Sequence, residues 1–140
     1  MQTKPILTQE DVKKIAAAAE QHATANGWKV AIAIADDGGH PLYLQRMDGV
    51  AAVSAYIAPQ KAKTAALGRR ESKVYEDLIN NGRTSFLRAP ELDGMLEGGV
   101  NIVVDGHTVG AVGVSGVKSE QDAQIAKAGI AALSAQADEK

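Results

Sequence analysis

Two charged side chains flank a methionine at the end of a predicted strand, and they are the first candidates for chemistry in this sequence. Arg46 and Asp48 lie two residues apart, so both project to the same face of a strand. A guanidinium presents a planar fork of donors that suits a carboxylate ligand. The same two side chains also suit a structural ion pair with each other. The sequence leaves both alternatives open.

A pair of lysines follows on a predicted helix. Lys61 and Lys63 lie two apart and therefore diverge, because neighbours on one helix face are three or four residues apart. Only one of them can share a pocket with Arg46. We expect Lys61 to be that residue and Lys63 to be a solvated surface charge.

Glycine recurs every third residue in a late apolar segment, at Gly110, Gly113 and Gly116. A phosphate-binding loop needs Gly directly before Lys, but a valine separates Gly116 from Lys118, so the pattern does not indicate nucleotide binding. Glycine in a strand instead favours close approach of another backbone or of a flat ligand. Ser115, shortly before a predicted helix, could bind an anion at the helix N-terminus; a simple turn is the alternative.

Composition excludes several classes of protein. The chain has 140 residues, 45% hydrophobic and 23% charged, which is typical of one globular domain. A net charge of −2 and no long basic run argue against a nucleic-acid partner. The absence of cysteine excludes disulfides, thiolate zinc sites and iron–sulfur clusters, and we expect no dedicated metal site. No segment is apolar enough for a signal peptide or a membrane span, so we expect a soluble, cytoplasmic protein without a membrane partner.

Hydrophobic spacing and capping residues predict the order of the elements. A helix begins after Thr8, with Asp11 completing a capping box, and ends at residues 26–27. The next elements are a strand over 28–35, a turn over 36–39, a strand over 41–47, and a helix that spans roughly Ser54 to Leu67 and stops at Gly68; we favour a start near Ile57, which places Pro59 in the first turn. The remaining elements are a helix capped by Ser72 and ending at Asn80, a loop over 82–99, a hairpin with strands 100–104 and 108–114 around Asp105-Gly106, and a final helix capped by Ser119 with Asp122.

The first predicted strand has two different apolar faces. Trp28, Val30, Ile32 and Ile34 alternate with the alanines at 31, 33 and 35, as in a strand covered on both sides. Two hairpins separated by helices do not give the alternating rhythm of a parallel sheet. We therefore predict an α+β fold in which helices pack on an antiparallel sheet.

Three ordered segments resemble the signatures of the GlcG/HbpS family. Residues 33–40 (AIADDGGH) lead to residues 46–49 (RMDG); residues 61–66 (KAKTAA) follow; and residues 97–100 (EGGV) precede residues 110–116 (GAVGVSG) and 121–122 (QD). Residues 68–71 and 80–84 resemble the GlcG branch of the family in particular. The similarity thus covers nearly the whole chain.

The resemblance implies a profilin-like α+β fold, assembly into a homo-oligomer, and heme or a related tetrapyrrole as ligand, with a link to glycolate utilisation. The resemblance favours a ligand-binding role of the matching residues over a purely structural role. We predict that they converge on one ligand site near a subunit boundary, formed by His40, Arg46, Asp48, Lys61, Gly113 and Ser115. An interface network that holds the oligomer together is the alternative role for the same residues.

A heme requires an axial donor and an apolar slot. The side chains that could donate are His22, His40, His107, Met47, Met95, Tyr43, Tyr56 and Tyr75, and none has a spacing specific to heme. Of the three histidines, His22 lies late in the first predicted helix, where a half-buried structural histidine is the alternative. His40 follows two glycines in a predicted turn and lies within the first family signature; a structural turn histidine is the alternative. We retain His22 and His40 as candidate axial ligands and expect His107 to face solvent.

A second hypothesis is a small enzyme that acts on a short hydroxy or oxo carboxylic acid. A third hypothesis is an accessory subunit for such a reaction. Arg46 and Lys61 would grip the carboxylate, and Glu97 or Asp48 would move protons. The sequence contains no nucleophile elbow of the Gly-x-Ser-x-Gly type. Ligand binding is therefore the leading hypothesis.

Overall fold

The computed structural model describes residues 1–138 of the chain. Its elements are α1 (Gln9–Ala25), β1 (Ala31–Asp36), β2 (Pro41–Arg46), α2 (Ser54–Gly68), α3 (Lys73–Asn80), a 3₁₀ helix (Thr84–Arg88), β3 (Gly99–Val104), β4 (His107–Ser115) and α4 (Ser119–Asp138). The strands form one sheet in the order β2-β1-β4-β3, and every neighbouring pair is antiparallel. The predicted α+β fold with helices on an antiparallel sheet is confirmed.

The two faces of β1 contact different helices, as the alternating sequence predicts. Ile32 and Ile34 are buried in the larger core with residues of α1 and α4. The alanines at 31, 33 and 35 form a second cluster with Ala58 and Ala62 of α2. The small side chains on this face let α2 lie close to the sheet. Because α1 and α4 cover one face of the sheet and α2 covers the other, the molecule has three layers.

Two local predictions are confirmed at the level of hydrogen bonds. The Thr8 hydroxyl accepts from the Asp11 N–H at 3.1 Å, and the Asp11 carboxylate accepts from the Thr8 N–H at 2.8 Å, which completes the capping box of α1. Asp105 and Gly106 have φ angles of 51° and 78°, the two positive values that a type I′ hairpin turn requires. These contacts fix the start of α1 and the β3–β4 hairpin.

The predicted start of α2 near Ile57 is wrong, because the helix begins at Ser54 and contains Pro59 in its interior. The added turn is held by a 3.0 Å bond from the Ile57 N–H to the Val53 carbonyl. Ser54 and Ala58 are buried, and this packing offsets the hydrogen bond that proline cannot donate.

The predicted cap at Ser72 is also wrong. Ser72 has helical backbone angles and makes no side-chain cap; its hydroxyl donates to the Leu96 carbonyl at 2.5 Å and accepts from the Gly99 N–H at 2.8 Å. Ser72 thereby pins the segment before β3 to the start of α3. That segment, predicted as loop, contains the 3₁₀ helix.

The predicted cap of α4 by Ser119 with Asp122 is not observed. Lys118 precedes the helix, and its N–H donates to the Gln121 side chain at 3.3 Å. The Asp122 carboxylate instead accepts from the Val117 N–H at 3.1 Å. Among the described residues, no helix is long and apolar enough to cross a bilayer.

Candidate functional site

A cleft of about 330 Å³ lies between the end of α1 and the end of β2. Trp28 and Met47 contribute its apolar lining, and Arg46 and Lys29 contribute cationic groups. We call it the α1–β2 cleft, lined by Glu20, Thr24, Gly27, Trp28, Lys29, Gln45, Arg46, Met47 and Asp48. It therefore contains two of the predicted site residues, Arg46 and Asp48.

Arg46 owes its place to the register of the sheet. It pairs with Ala31 of β1, which in turn pairs with Ser115 of β4, so the three residues form one row across the sheet. β2 is an edge strand and Arg46 is exposed. Within the described residues no ion pair joins Arg46 to Asp48, and the guanidinium is left available to a ligand.

His22 lies beside this cleft, although it does not line it. Its ring packs against Trp28 with a centroid separation of 6.1 Å and a tilt of 59°. Its Nε2 lies 2.9 Å from Nε2 of Gln124 on α4. His22 is thus a half-buried histidine between an aromatic ring and a polar side chain.

His40 lies at the opposite end of β2 from Arg46. They are six positions apart in the chain, and at about 3.3 Å per residue this corresponds to roughly 20 Å. The Asp36 carboxylate organises the turn: its Oδ1 accepts from the N–H groups of Gly38 and His40 at 2.9 Å each, and His40 Nδ1 lies 3.0 Å away. The structure does not bring His40 and Arg46 into one site.

Lys61 is buried, with 4% of its side chain exposed. Its Nζ donates to the Val114 carbonyl at 2.9 Å and to Asp122 Oδ2 at 3.2 Å. Burial raises the pKa of the Asp122 carboxyl, and the nearby Lys61 charge opposes that rise. The Lys61 ammonium is therefore engaged inside the protein and does not line the α1–β2 cleft.

Gly113 and Ser115 lie under α2. A side chain at Gly113 would collide with the Ala58 carbonyl and lie 2.5 Å from the Ala62 nitrogen, which explains the glycine by close approach of a backbone. The Ser115 hydroxyl is buried and lies 3.4 Å from the Ser54 hydroxyl, to which it donates. Helix packing accounts for both residues.

Sequence reasoning missed three residues that define these environments. Trp28 and Met47 line the cleft, but alternation indicated only core packing for Trp28, and Met47 was one of several possible heme donors with no spacing to distinguish it. Asp122, the partner of Lys61, was assigned to a helix cap. A lysine within a helix rich in alanine is the signal that should have prompted a search for a buried counter-ion, because such a charge is rarely buried without a partner. Glu97 lies near Asp122, whose pKa its charge also raises.

Comparison with known proteins identifies relatives over most of the chain. Protein GlcG of Escherichia coli is 58% identical over 115 residues, which cover 82% of this chain and 85% of that protein. The crystal structure of Klebsiella pneumoniae protein ORFY matches with a TM-score of 0.89 at 28% identity, over 96% of this chain and 95% of that one.

A relative has been solved with a ligand. The crystal structure of a PduOC–heme complex matches with a TM-score of 0.83 at 30% identity, over 91% of this chain and 95% of that one. The family model described as haem degrading protein HbpS-like matches residues 7–131. This chain therefore belongs to the HbpS-like family.

Proposed function

We propose that this protein binds heme or a related tetrapyrrole in the α1–β2 cleft. The observation that carries the proposal is the lining of that cleft, in which Trp28 and Met47 provide apolar surface and Arg46 and Lys29 provide cationic groups, next to the carboxylates Glu20 and Asp48. The apolar surface suits a flat macrocycle, and the two cationic groups suit the carboxylates that it bears. Membership of the HbpS-like family and the heme complex of PduOC support the same ligand.

The residues present fit the chemistry of the group. Bound heme would supply an iron centre with axial positions for donor ligands. Arg46 would hold a propionate through its fork of donors, and Lys29 would add a second positive charge. Trp28 would cover one face of the macrocycle by aromatic contact.

His22 is our preferred axial ligand, because its ring packs on Trp28 at the wall of the cleft. Ligation would require Nε2 to leave Gln124. His40 is the second candidate, but it lies at the other end of β2, outside the residues that line this cleft. A ligand bound by His40 would therefore occupy a different part of the molecule.

The size of the cleft bears on assembly. A volume of about 330 Å³ is at the lower end of small-molecule sites, so this cleft would cover only part of a tetrapyrrole. A second copy of the chain would cover the rest, and we include a homo-oligomer in the proposal. A link to glycolate utilisation is a further expectation, supported by the family resemblance alone, and a cytoplasmic location is an expectation from the sequence.

Hemin titration followed in the Soret region tests the proposal. We expect a saturable Soret band for the native protein, a shifted and weakened band for His22→Ala, and an unchanged band for the control His107→Ala, which lies on the β3–β4 hairpin. An unchanged band in His22→Ala together with a lost band in His40→Ala would move the site to the β1–β2 turn. Absence of any saturable band would reject tetrapyrrole binding.

A further inference from the structure

A second, larger cleft of about 530 Å³ lies at the opposite end of α2 from Ser54. α2 ends at Gly68, while β3 and β4 continue to their hairpin, so the helix leaves part of the sheet face bare. The segment before α1, at residues 2–4, forms one side of the cleft. Residues that line this α2–hairpin cleft include Lys4, Ala66, Arg69, Asn101, His107 and Thr108.

The charges in this cleft are unevenly compensated. Lys4 forms an ion pair with Asp37, and this contact lowers the pKa of the Asp37 carboxyl. Both members of that pair line the cleft. Arg69 lines it as well, and among the described residues no carboxylate pairs with its guanidinium. The cleft therefore has one uncompensated positive charge, on Arg69.

The backbone of Arg69 is held in an unfavourable conformation. It caps α2 with φ 57° and ψ 37°, the left-handed region in which glycine is preferred. Gly68 lies directly before it and is part of the helix. The next residue, Arg70, has a different environment, with its guanidinium 5.3 Å from the centre of the Tyr75 ring. Of these two neighbouring arginines, only Arg69 lines the cleft.

Polar groups of the hairpin face the same space. The Asn101 Nδ2 donates to the Thr108 hydroxyl at 3.2 Å, which fixes both side chains on the sheet face. The ladder between β3 and β4 has an irregularity between Ile102 and Val103, and such bulges change the direction of neighbouring side chains. The Thr108 hydroxyl still has a proton to donate, and His107 adds a ring nitrogen.

We infer that the α2–hairpin cleft binds a small organic acid. Arg69 receives its carboxylate in a charge-assisted contact, and the Asn101–Thr108 pair holds a neighbouring hydroxyl or oxo oxygen. Ala66 and Val103 provide the apolar contact for a short carbon chain. This site is separate from the α1–β2 cleft and shares no lining residue with it, so it does not depend on tetrapyrrole binding.

The test is a titration of the ¹⁵N-labelled protein with glycolate, acetate and inorganic phosphate at constant ionic strength, followed by NMR. We expect glycolate to produce saturable shifts of the amide signals of Gly106, His107 and Thr108. Arg69→Gly should weaken binding about tenfold or more, because it removes a charged hydrogen-bond donor. Its fold should persist, since glycine suits the left-handed backbone at this position.

Two controls make the result specific. Arg70→Gln removes the neighbouring charge and should leave glycolate affinity unchanged, while Arg69→Lys, which keeps the charge but loses the fork, should bind with intermediate affinity. Unchanged affinity in a folded Arg69→Gly variant, or the absence of saturable shifts in the native protein, would overturn the inference. Tighter binding of phosphate than of either acid would overturn the assignment to a carboxylate.

Discussion

The Lys61 ammonium on α2 and the Asp122 carboxylate on α4 form a buried ion pair with a separation of 3.2 Å. The two helices lie on opposite faces of the sheet, so the ion pair joins the two helical layers next to the start of β3 and the end of β4. The Val114 carbonyl accepts a second bond from Lys61 and the Val117 N–H donates to Asp122. Each charge thus has two hydrogen-bonded partners.

Replacing Lys61 by methionine should destabilise the protein strongly. The variant Lys61→Met leaves the Asp122 carboxylate buried without its counter-ion, and such a change costs about 3–5 kcal/mol. Urea unfolding at neutral pH measures the loss. The double variant Lys61→Met/Asp122→Asn should recover at least half of it, because the buried negative charge is gone while an oxygen remains for the Val117 N–H.

The control for that experiment is Lys63→Met. Lys63 pairs with the exposed Glu91 at 2.6 Å, and surface pairs contribute little to stability. We expect its unfolding midpoint to stay near that of the native protein. Native-like stability of Lys61→Met would contradict the structural role of Lys61 and would favour the earlier hypothesis that Lys61 serves a ligand.

The stability lost in Lys61→Met should depend on pH. Burial raises the pKa of the Asp122 carboxyl in the folded protein, and removing Lys61 takes away a charge that lowers it. A carboxyl whose folded pKa exceeds its unfolded value near 3.8 binds a proton more readily when folded. Lowering the pH through the folded pKa therefore favours the folded state of the variant.

Urea unfolding of both proteins at a series of pH values from neutral to mildly acidic checks this sign. The difference in free energy of unfolding between the native protein and Lys61→Met should shrink as the pH falls. A difference that grows towards acid would show that Asp122 has a depressed pKa in the variant, contrary to the prediction.

Gly113→Ala should destabilise the fold because α2 lies directly over this position. The added methyl group would meet the backbone of Ala58 and Ala62, which cannot move without shifting the helix, and overpacking of this kind costs about 1–3 kcal/mol. Gly38→Ala is the matched control, since its new methyl group would come closer than 3.0 Å only to the ring of His40, an exposed side chain that can move, and would lie at an ordinary contact distance of 3.5 Å from Asp36 Oδ1. Thermal unfolding of both variants should separate them; equal midpoints would refute the packing explanation.

The sequence predicted the fold well where local chemistry decides structure. The alternation around Ile32 placed β1 between two helical layers, and Asp105-Gly106 identified a hairpin because few other residues accept two positive φ angles. Thr8 and Asp11 identified the start of α1 for an equally local reason. These features depend on neighbours in the chain, which the sequence shows directly.

The candidate site was predicted less well, because it depends on distances between elements. Family signatures grouped His40 with Arg46, yet they lie at opposite ends of one strand. Lys61 resembled a ligand-binding cation, but its counter-ion Asp122 is 61 residues away in the chain. Arg69 was not predicted as a ligand-binding residue. Its exposure and its left-handed backbone conformation depend on where α2 ends, which only the structure shows.

Arg46→Ala should weaken hemin binding more than Lys63→Ala does. Arg46 lines the α1–β2 cleft as an exposed guanidinium, whereas Lys63 pairs with Glu91 near the other end of β2. Loss of one charge-assisted contact on the ligand should reduce affinity by about fivefold to tenfold. Hemin titration of both variants measures the ratio, and equal affinities would exclude Arg46 from the site.

The final prediction is that the protein assembles through the outer surface of β2 and the adjoining side of α2. Leu42 and Leu44 are 43% and 51% exposed on the edge strand, and Tyr56 of α2 is 76% exposed. An edge strand with unpaired backbone groups and apolar side chains is suited to pair with a second copy. Static light scattering at micromolar concentration should therefore report a multiple of the 14.6 kDa subunit mass.

Leu44→Glu tests which surface is used. Leu44 is half-exposed in the subunit, so a carboxylate there is compatible with the folded monomer but is buried at the proposed interface, where an unpaired charge opposes assembly. We expect a folded species of lower mass with unchanged circular dichroism. Leu87→Glu, on the exposed 3₁₀ helix, is the matched control and should keep the native mass. A native protein that scatters only as a 14.6 kDa monomer would reject assembly, and a Leu44→Glu variant with native mass would reject this surface.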